Sequence, residues 1–290
     1  MVLYKLHDWI NEDRLFIHFL CTVNHPGIVP ILRRHFDKID WGNLSQNPAA
    51  IELLEQNQDK IHWQWLSLNS SAIYLLEKNP DKIHWYCLCA NPAAIDLLVQ
   101  NLDKIYWGPL SQNINAINIL KQNQNLINWF WLSKNPAAIK LLEQNPDKID
   151  WFCLSENTAA IKLLEQNPDK IHWPELSTNP AAIDILERNR DKIRWLWLST
   201  NPAAIHLLQQ NRDKISWAEL SSNPAAIHLL QQDQDKINWY NLSSNTGIFT
   251  YDYVAMKETK KTLHEEIAAY VYHPSRIEKY LNEGGDLDKL

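Results

Sequence analysis

The chain has 290 residues, of which 45% are hydrophobic and 21% are charged, a composition typical of globular proteins. Its formal net charge is −6, so the field of the whole chain would not attract nucleic acid or an anionic membrane. Only 6 residues are glycine, and the one adjacent pair is Gly284-Gly285, which argues against a glycine-rich nucleotide-binding loop.

Residues 1–40 predict an N-terminal cap that includes a degenerate half repeat from about Asn24. The first segment, MVLYKLHDWINEDRLF, is interrupted by charged residues, so we expect no signal peptide. No apolar run approaches the roughly 18–20 residues that a membrane span requires. The cysteines match neither a disulfide framework nor a zinc-binding CxxC pair and predict reduced thiols; they are Cys21, Cys87, Cys89 and Cys153.

Residues 41–249 are a repeat with a period of 22 residues. Leu follows three residues after each repeated Trp, and Asn follows six residues after it. The unit reads W-x-x-L-S-x-N-P-A-A-I-x-L-L-E-x-N-P-D-K-I-x, with nine full units and a partial tenth. Such a period is typical of solenoids. The repeated tryptophans are Trp41, Trp63, Trp85, Trp107, Trp129, Trp151, Trp173, Trp195, Trp217 and Trp239.

Each unit predicts two helices. Asn-Pro is a helix start, because the Asn side chain caps free amides and Pro at the first position loses no hydrogen bond. The residues that follow are strong helix formers with one apolar face, which predicts a helix of about ten residues, for example over 136–145. The second Asn-Pro start predicts a shorter helix, beginning with a 3₁₀ turn, that carries the Trp. We expect the ten tryptophans to fill the space between layers.

Residues 250–290 predict a C-terminal helical cap. One helix is expected over 254–272, a break at His273-Pro274, and a last helix over 275–282 that Gly284-Gly285 closes. Terminal caps keep the ends of a solenoid soluble.

The predicted fold class is therefore all-α, an α-solenoid (superhelix) of about ten to eleven two-helix layers with terminal helical caps. At about 8–10 Å per layer, a straight array would be on the order of 100 Å long. The alternative is a leucine-rich-repeat horseshoe, whose unit length includes 22 residues. Its strand would need an apolar residue two after each Trp, where Pro109, Glu175, Glu219 and Asn241 occur, so the α-solenoid is favoured.

A second period of 66 residues, or three units, is superimposed on the first. Trp65, Trp131 and Trp197 are 66 residues apart, and so are Cys87 and Cys153. This period favours duplication of a three-unit block. The alternative is that these three tryptophans line one side of the superhelix.

The words NPAAI, LLEQNPDKI and WxxLSxN make residues 24–249 resemble the 22-residue repeats of proteins from large DNA viruses of amoebae, such as the Marseillevirus group. The helix layout is similar to that of the leucine-rich variant repeat, which alternates an α-helix with a short 3₁₀ helix. The resemblance implies a viral protein without established enzymology. Its location would be the virion, the host-cell cytoplasm or the viral factory, and it would not be secreted.

Catalytic, cofactor and metal sites are not expected. No GxSxG, HExxH or Walker sequence occurs, and the Ser after each Leu recurs too often to be a unique nucleophile. His206 and His228 would lie one layer apart, too far to share a metal ion. The Asp-Lys pair before each Ile predicts a ladder of weak surface ion pairs.

Function is expected where the units differ, at the positions one and two after each Trp. Trp and Tyr are frequent in interface hot spots, while packing between layers is an equal alternative. The predicted function is a non-enzymatic protein-interaction scaffold or virion-structural component whose partner is a viral or host protein. Nucleic-acid binding by repeat is the less favoured alternative, because position eleven after each Trp carries mixed charges. The candidate partner-binding residues are Trp65, Tyr86, Phe130, Trp131, Phe152, Leu196, Trp197 and Tyr240.

Overall fold

The computed structural model describes residues 3–273 and 276–277. The chain divides into two compact parts. Residues 8–248 form the repeat domain, and the segments before residue 8 and after residue 248 form the terminal domain. The structure confirms the predicted all-α solenoid, which the repeat domain builds.

The terminal domain contains a short antiparallel strand pair and one long helix. Strand β1 (Tyr4–Leu6) pairs with β2 (Phe249–Tyr251), with Tyr4 opposite Tyr251. The helix predicted over 254–272 spans Tyr253–Val271. The last predicted helix, over 275–282, and its glycine pair fall almost wholly outside the described residues.

The repeat domain contains eleven units, each with a first helix that begins at the Trp position. The unit before Trp41 has Ile17 at this position, so a complete unit replaces the predicted degenerate half repeat. The first helices are Ile17–Leu20, Trp41–Ser45, Trp63–Leu66, Trp85–Ala90, Trp107–Gln112, Trp129–Lys134, Trp151–Glu156, Trp173–Thr178, Trp195–Leu198, Trp217–Leu220 and Trp239–Leu242.

Ten of the units continue into a second helix. In most of them a 3₁₀ turn precedes it, as Pro136–Ala138 precedes Ile139–Gln144, so the predicted ten-residue helix is a turn followed by an α-helix. The second helices are Ile28–Arg34, Ile51–Gln56, Ile73–Lys78, Ile95–Val99, Ile117–Gln122, Ile139–Gln144, Ile161–Gln166, Ile183–Arg188, Ile205–Gln210 and Ile227–Gln232.

A further 3₁₀ turn ends each of the first ten units but does not run into the next first helix. Pro146–Lys148 is followed by Ile149 and Asp150, both in extended conformation, before the helix Trp151–Glu156 begins. The predicted second helix with a 3₁₀ start is therefore two separate elements. Extended residues are required here because the chain crosses from one side of the layer to the other.

The core consists of small and aliphatic side chains rather than of tryptophan. The Leu three residues after each Trp is fully buried, as at Leu132 and Leu154, and so is the second Ala of each Asn-Pro-Ala-Ala sequence. All ten repeated tryptophans are only half-buried. The expectation that they fill the inter-layer space is wrong, because Leu and Ala already fill it.

The last unit packs against the first, so the repeat domain is a closed array. In the interior, the residue four after each Trp accepts a hydrogen bond from a backbone N–H that precedes the next first helix; this residue is Ser in every unit except the one with Cys89. Asp150 donates to Ser133 Oγ in this way at 3.0 Å. In the last unit, Ser243 Oγ accepts the same bond at 2.8 Å from Phe16, which precedes the first helix of the first unit. Because the register is that of an interior junction, the array closes as a ring.

Closure changes the predicted dimensions. Eleven units in one closed turn rotate by about 33° each, a curvature that solenoids obtain from a small rotation per repeat. The units therefore follow a circumference, and the expected elongated array of about 100 Å is wrong. The packing distance between layers follows from helix geometry, but the angle between layers cannot be derived from the repeat pattern.

The first helices line the inner side of the ring. First helices of successive units pack directly on one another between Trp41 and Trp63 and at each junction from Trp85 to Trp195, whereas second helices of successive units contact one another less. Elements at a smaller radius lie closer together, so the first helices are inside. With about 9 Å between neighbours, their axes lie on a circle about 30 Å across.

Candidate interaction surface

The repeated Asn and Ser side chains serve the backbone and are not available to a ligand. Asn157 Nδ2 donates to the carbonyl of Ser133 at 2.9 Å and to that of Asn135 at 3.2 Å, both in the preceding unit. Its Oδ1 accepts from the Ala159 N–H at 3.0 Å and so caps the following turn. Ser155 Oγ donates to the Trp151 carbonyl at 2.8 Å. These bonds recur along the array, which confirms that the fixed polar residues are structural.

Nine of the ten repeated tryptophans carry a cation over the ring; the exception is Trp107, for which Leu126 stands at the position of the Lys. Lys170 Nζ lies 4.6 Å from the centroid of the Trp151 ring, and equivalent Lys residues cover seven other tryptophans at 4.4–5.8 Å. Arg14 covers Trp239 at 4.1 Å, so the closing junction keeps this contact too. The predicted ladder of Asp-Lys ion pairs is wrong, because these lysines stack on Trp rings instead. Within the part of the chain that the structure describes, one Asp-Lys pair is in contact, Lys60 with Asp59 at 4.0 Å.

The variable positions of the first helices form an inner row, which we define as positions one, two and five after the start of each first helix. Positions three and four are buried within the layer, as Leu132 and Ser133 are. The opposite face of a first helix therefore points to the inside of the ring. This row contains all eight candidates predicted from the sequence.

Seven of the eight candidates are exposed, and Trp131 is half-buried. Trp65, Tyr86 and Trp197 are 39%, 50% and 45% exposed, which is high for side chains of this size. Phe130 stacks edge-on against Trp131, with ring centroids 5.3 Å apart. The further exposed candidates are Phe152, Leu196 and Tyr240.

Tyr240 has an internal role that the sequence did not reveal. Its ring lies 4.2 Å from that of Phe19 and 5.7 Å from that of Phe16, measured between centroids. Both phenylalanines belong to the first unit. Tyr240 is therefore part of the closing junction, in addition to being exposed on the inner row.

Trp65, Tyr86 and Trp131 line one pocket of about 300 Å³. Its floor includes Cys87 and Pro109. We call the inner row from Trp65 to Trp131 the first arc. Three of the eight candidates thus contribute to a single concave site, although they come from three different units.

Two glycines lie beneath tryptophans of this row, at a distance where a Cβ would make ordinary van der Waals contact. A Cβ at Gly108 would lie 3.8 Å from Cδ1 of Trp131, and a Cβ at Gly42 would lie 3.9 Å from Cδ1 of Trp65. Each indole therefore leans over the preceding unit at a position without a side chain. The equivalent position before Trp197 is Pro174. The 66-residue spacing of Gly42 and Gly108 is a signal in the sequence that was not used.

We call the inner row from Trp131 to Trp197 the second arc. It has tryptophans at the same repeat positions as the first arc, but polar side chains lie between them. Lys134 Nζ and Glu156 Oε2 form an ion pair at 2.9 Å. The bonded Glu156 carboxylate raises the pKa of Lys134. Glu175 occupies the position that Pro109 has in the first arc and contacts His172. Polar groups thus replace the apolar floor of the first arc.

The cysteines are buried thiols rather than reactive groups. Cys87 and Cys153 occupy equivalent inner-row positions and are 7% and 0% exposed. Burial raises the pKa of both thiols, that of Cys153 to about 12. Among the described residues, no three His, Cys, Asp or Glu side chains are placed to hold a metal ion. None of the described helices is both long and apolar enough to cross a membrane.

No protein-family model matches the chain, and comparison with curated proteins and with solved structures gives no similar protein. The class that the structure itself defines is a closed α-solenoid of 22-residue units. Functional inference therefore depends on the inner row alone.

Proposed function

We propose that the protein is a non-enzymatic interaction scaffold that binds a partner protein on the inner row. The observation that carries this proposal is the contrast between repeated side chains that already have partners within the protein and variable side chains that are exposed. The fixed Asn and Ser side chains have hydrogen-bond partners inside the array, and nine of the ten fixed Trp rings lie under a Lys or Arg, whereas large aromatic side chains of the variable positions remain exposed. Exposed Trp and Tyr at one surface suit a protein interface.

The charges of the inner row support a protein partner over nucleic acid. The charged residues at its three positions are Lys134, Glu156, Glu175 and Glu219. A polyphosphate backbone needs a basic stripe, which these residues do not supply. A viral origin of the scaffold is supported only by the repeated motifs NPAAI, LLEQNPDKI and WxxLSxN.

The test is capture of partners from cells that express the protein, compared between variants. We expect the triple change Trp65→Ser, Trp131→Ser and Trp197→Ser to reduce specific capture at least tenfold while the helical circular dichroism is kept. The matched control removes three exposed apolar side chains outside the inner row, Val99, Leu102 and Leu126, which are 42–58% exposed. Undiminished capture by a folded inner-row variant, or equal loss in the control, would overturn the proposal.

A further inference from the structure

The geometry points to a specific ligand for the first-arc pocket: an uncharged, proline-rich segment in the polyproline II conformation. This inference rests on the proposed scaffold function and names the chemistry of its partner. The pocket volume of about 300 Å³ is at the lower end of the range for ligand sites. It suits a few side chains of an extended peptide rather than a folded domain.

The lining of the pocket selects against charge. No Asp, Glu, Lys, Arg or His is among the residues that line it. A charged group entering an apolar site loses hydration, and here it would find no opposite charge in return. The second arc, with Lys134, Glu156 and Glu175, lacks this selectivity. Electrostatics therefore favour an uncharged occupant in the first arc.

Two side-chain amides discriminate between peptide conformations. Gln64 and Gln112 lie in the lining beside Trp65, Tyr86 and Trp131. Gln64 bonds to the Cys87 thiol, which uses one of its two N–H donors within the pocket. A docked α-helix has its backbone groups bonded internally, so the remaining amide donors would face apolar side chains. A polyproline II segment has carbonyls with no internal partner, and the two amides can donate to them.

Other modes of peptide recognition fit less well. Strand addition requires a free sheet edge, whereas the first helices of this surface satisfy their backbone within helices and through the Asn and Ser bonds. Phosphopeptide recognition requires an Arg cluster, and no Arg lines the pocket. Aromatic-lined grooves are the common feature of polyproline II sites, because flat proline rings pack on Trp and Tyr.

The test measures fluorescence anisotropy of labelled ten-residue peptides titrated with the full chain. The probes are a proline decamer, a Gly-Ser decamer and an uncharged helical peptide of equal length. We expect the proline decamer to bind at least tenfold more tightly than either control. Trp65→Ser with Trp131→Ser should weaken its binding at least tenfold, whereas Leu102→Ser with Leu126→Ser, outside the inner row, should change it less than twofold.

A second variant guards against a folding defect in the double tryptophan change. Gln64→Leu with Gln112→Leu keeps the aromatic walls, and we expect it to weaken the proline decamer at least threefold. Tighter binding of the helical peptide, or no binding of the proline decamer to the folded protein, would overturn the polyproline inference. If partner capture still required the tryptophans in that case, the scaffold function would stand. Capture independent of the tryptophans would instead overturn the scaffold function itself.

Discussion

Neighbouring units pack together at an interior junction of the ring and at the closing junction, but partly through different side chains. Between the Trp129 and Trp151 units, Ser133 accepts the Asp150 N–H, and Asn157 donates two bonds to the preceding unit. Between the last and first units, Ser243 and Arg14 keep the serine bond and the cation over Trp. In the first unit the position of the repeated Asn, six residues after the start of the first helix, is Val23, so the Asn bonds cannot form there. The rings of Tyr240, Phe16 and Phe19 pack at this junction instead.

The difference shows which contacts define the repeat and which only close it. Register is set by the serine bond, which is common to both junctions. The Asn amides add stability along the interior, where each saturates carbonyls that are buried away from water. We therefore expect the interior to be the more stable region and the closing junction to open first.

The largest effect should follow loss of an interior Asn amide. Asn157→Ala removes two bonds to the preceding unit and the cap of the following turn, and leaves buried carbonyls unpaired, which should cost about 3–5 kcal/mol. The free energy of unfolding would be measured by urea denaturation followed by circular dichroism.

Asn167→Ala is the matched control, because this Asn is half-buried and makes a single bond, to the Leu163 carbonyl at 2.9 Å. It should cost about 1 kcal/mol. Equal losses in the two variants would contradict the special role of the amides that cross the junction.

An intermediate effect is expected for the repeated tryptophan. Trp151→Ala should cost about 2–3 kcal/mol, below the value for a fully buried aromatic, because Trp151 is half-buried under Lys170. The same denaturation experiment on Phe152→Ala, whose side chain is 44% exposed, should show a change within about 0.5 kcal/mol. A loss for Trp151 as large as that for Asn157 would place the tryptophan in the core after all.

The smallest effect should come from the closing junction. Tyr240→Ser removes the ring contacts with Phe16 and Phe19 and should cost about 1–2 kcal/mol. Hydrogen exchange of the Phe16 amide, which is bonded to Ser243, should accelerate selectively.

The control for this change is Leu196→Ser, at the same repeat position and with the same exposure of 52%. It should leave the Phe16 amide protected and the free energy of unfolding within about 0.5 kcal/mol. Faster exchange at all amides in the Tyr240 variant would show that the junction does not open locally.

The sequence predicted the unit, its Asn-Pro caps and its Leu core because each depends on residues within one or two units. Asn135, for example, is both the predicted cap and the observed one. The prediction for the tryptophans differs from the structure, since their half-burial under Lys148 or Lys170 depends on a residue nineteen positions later. That signal was present as a fixed Trp-to-Lys spacing and was interpreted as an ion-pair ladder.

Closure could not be predicted, because it sums a small angle over eleven junctions and depends on Phe16 and Ser243, which are 227 residues apart. The candidate site was predicted as a set of positions, and the structure then brought Trp65, Tyr86 and Trp131 together. The amides of Gln64 and Gln112 were missed, since neither residue is unusual in a sequence rich in Gln.

The central claim is that the repeat domain is closed, and a distance between its first and last units tests it most directly. His18 and Ser244 are exposed residues of these two units and can each be changed to Cys for spin labelling. The four native cysteines are buried, and burial raises the pKa of Cys21 to about 11, so they should stay unlabelled. Thr178 and Leu196 occupy the same two repeat positions across an interior junction and provide the reference pair.

Pulsed dipolar spectroscopy should give the same short distance for both pairs, below about 25 Å, because neighbouring helices are about 8–10 Å apart and the labels add their own length. A short distance for Thr178 and Leu196 together with a distance on the order of 100 Å for His18 and Ser244 would contradict closure and restore an open array.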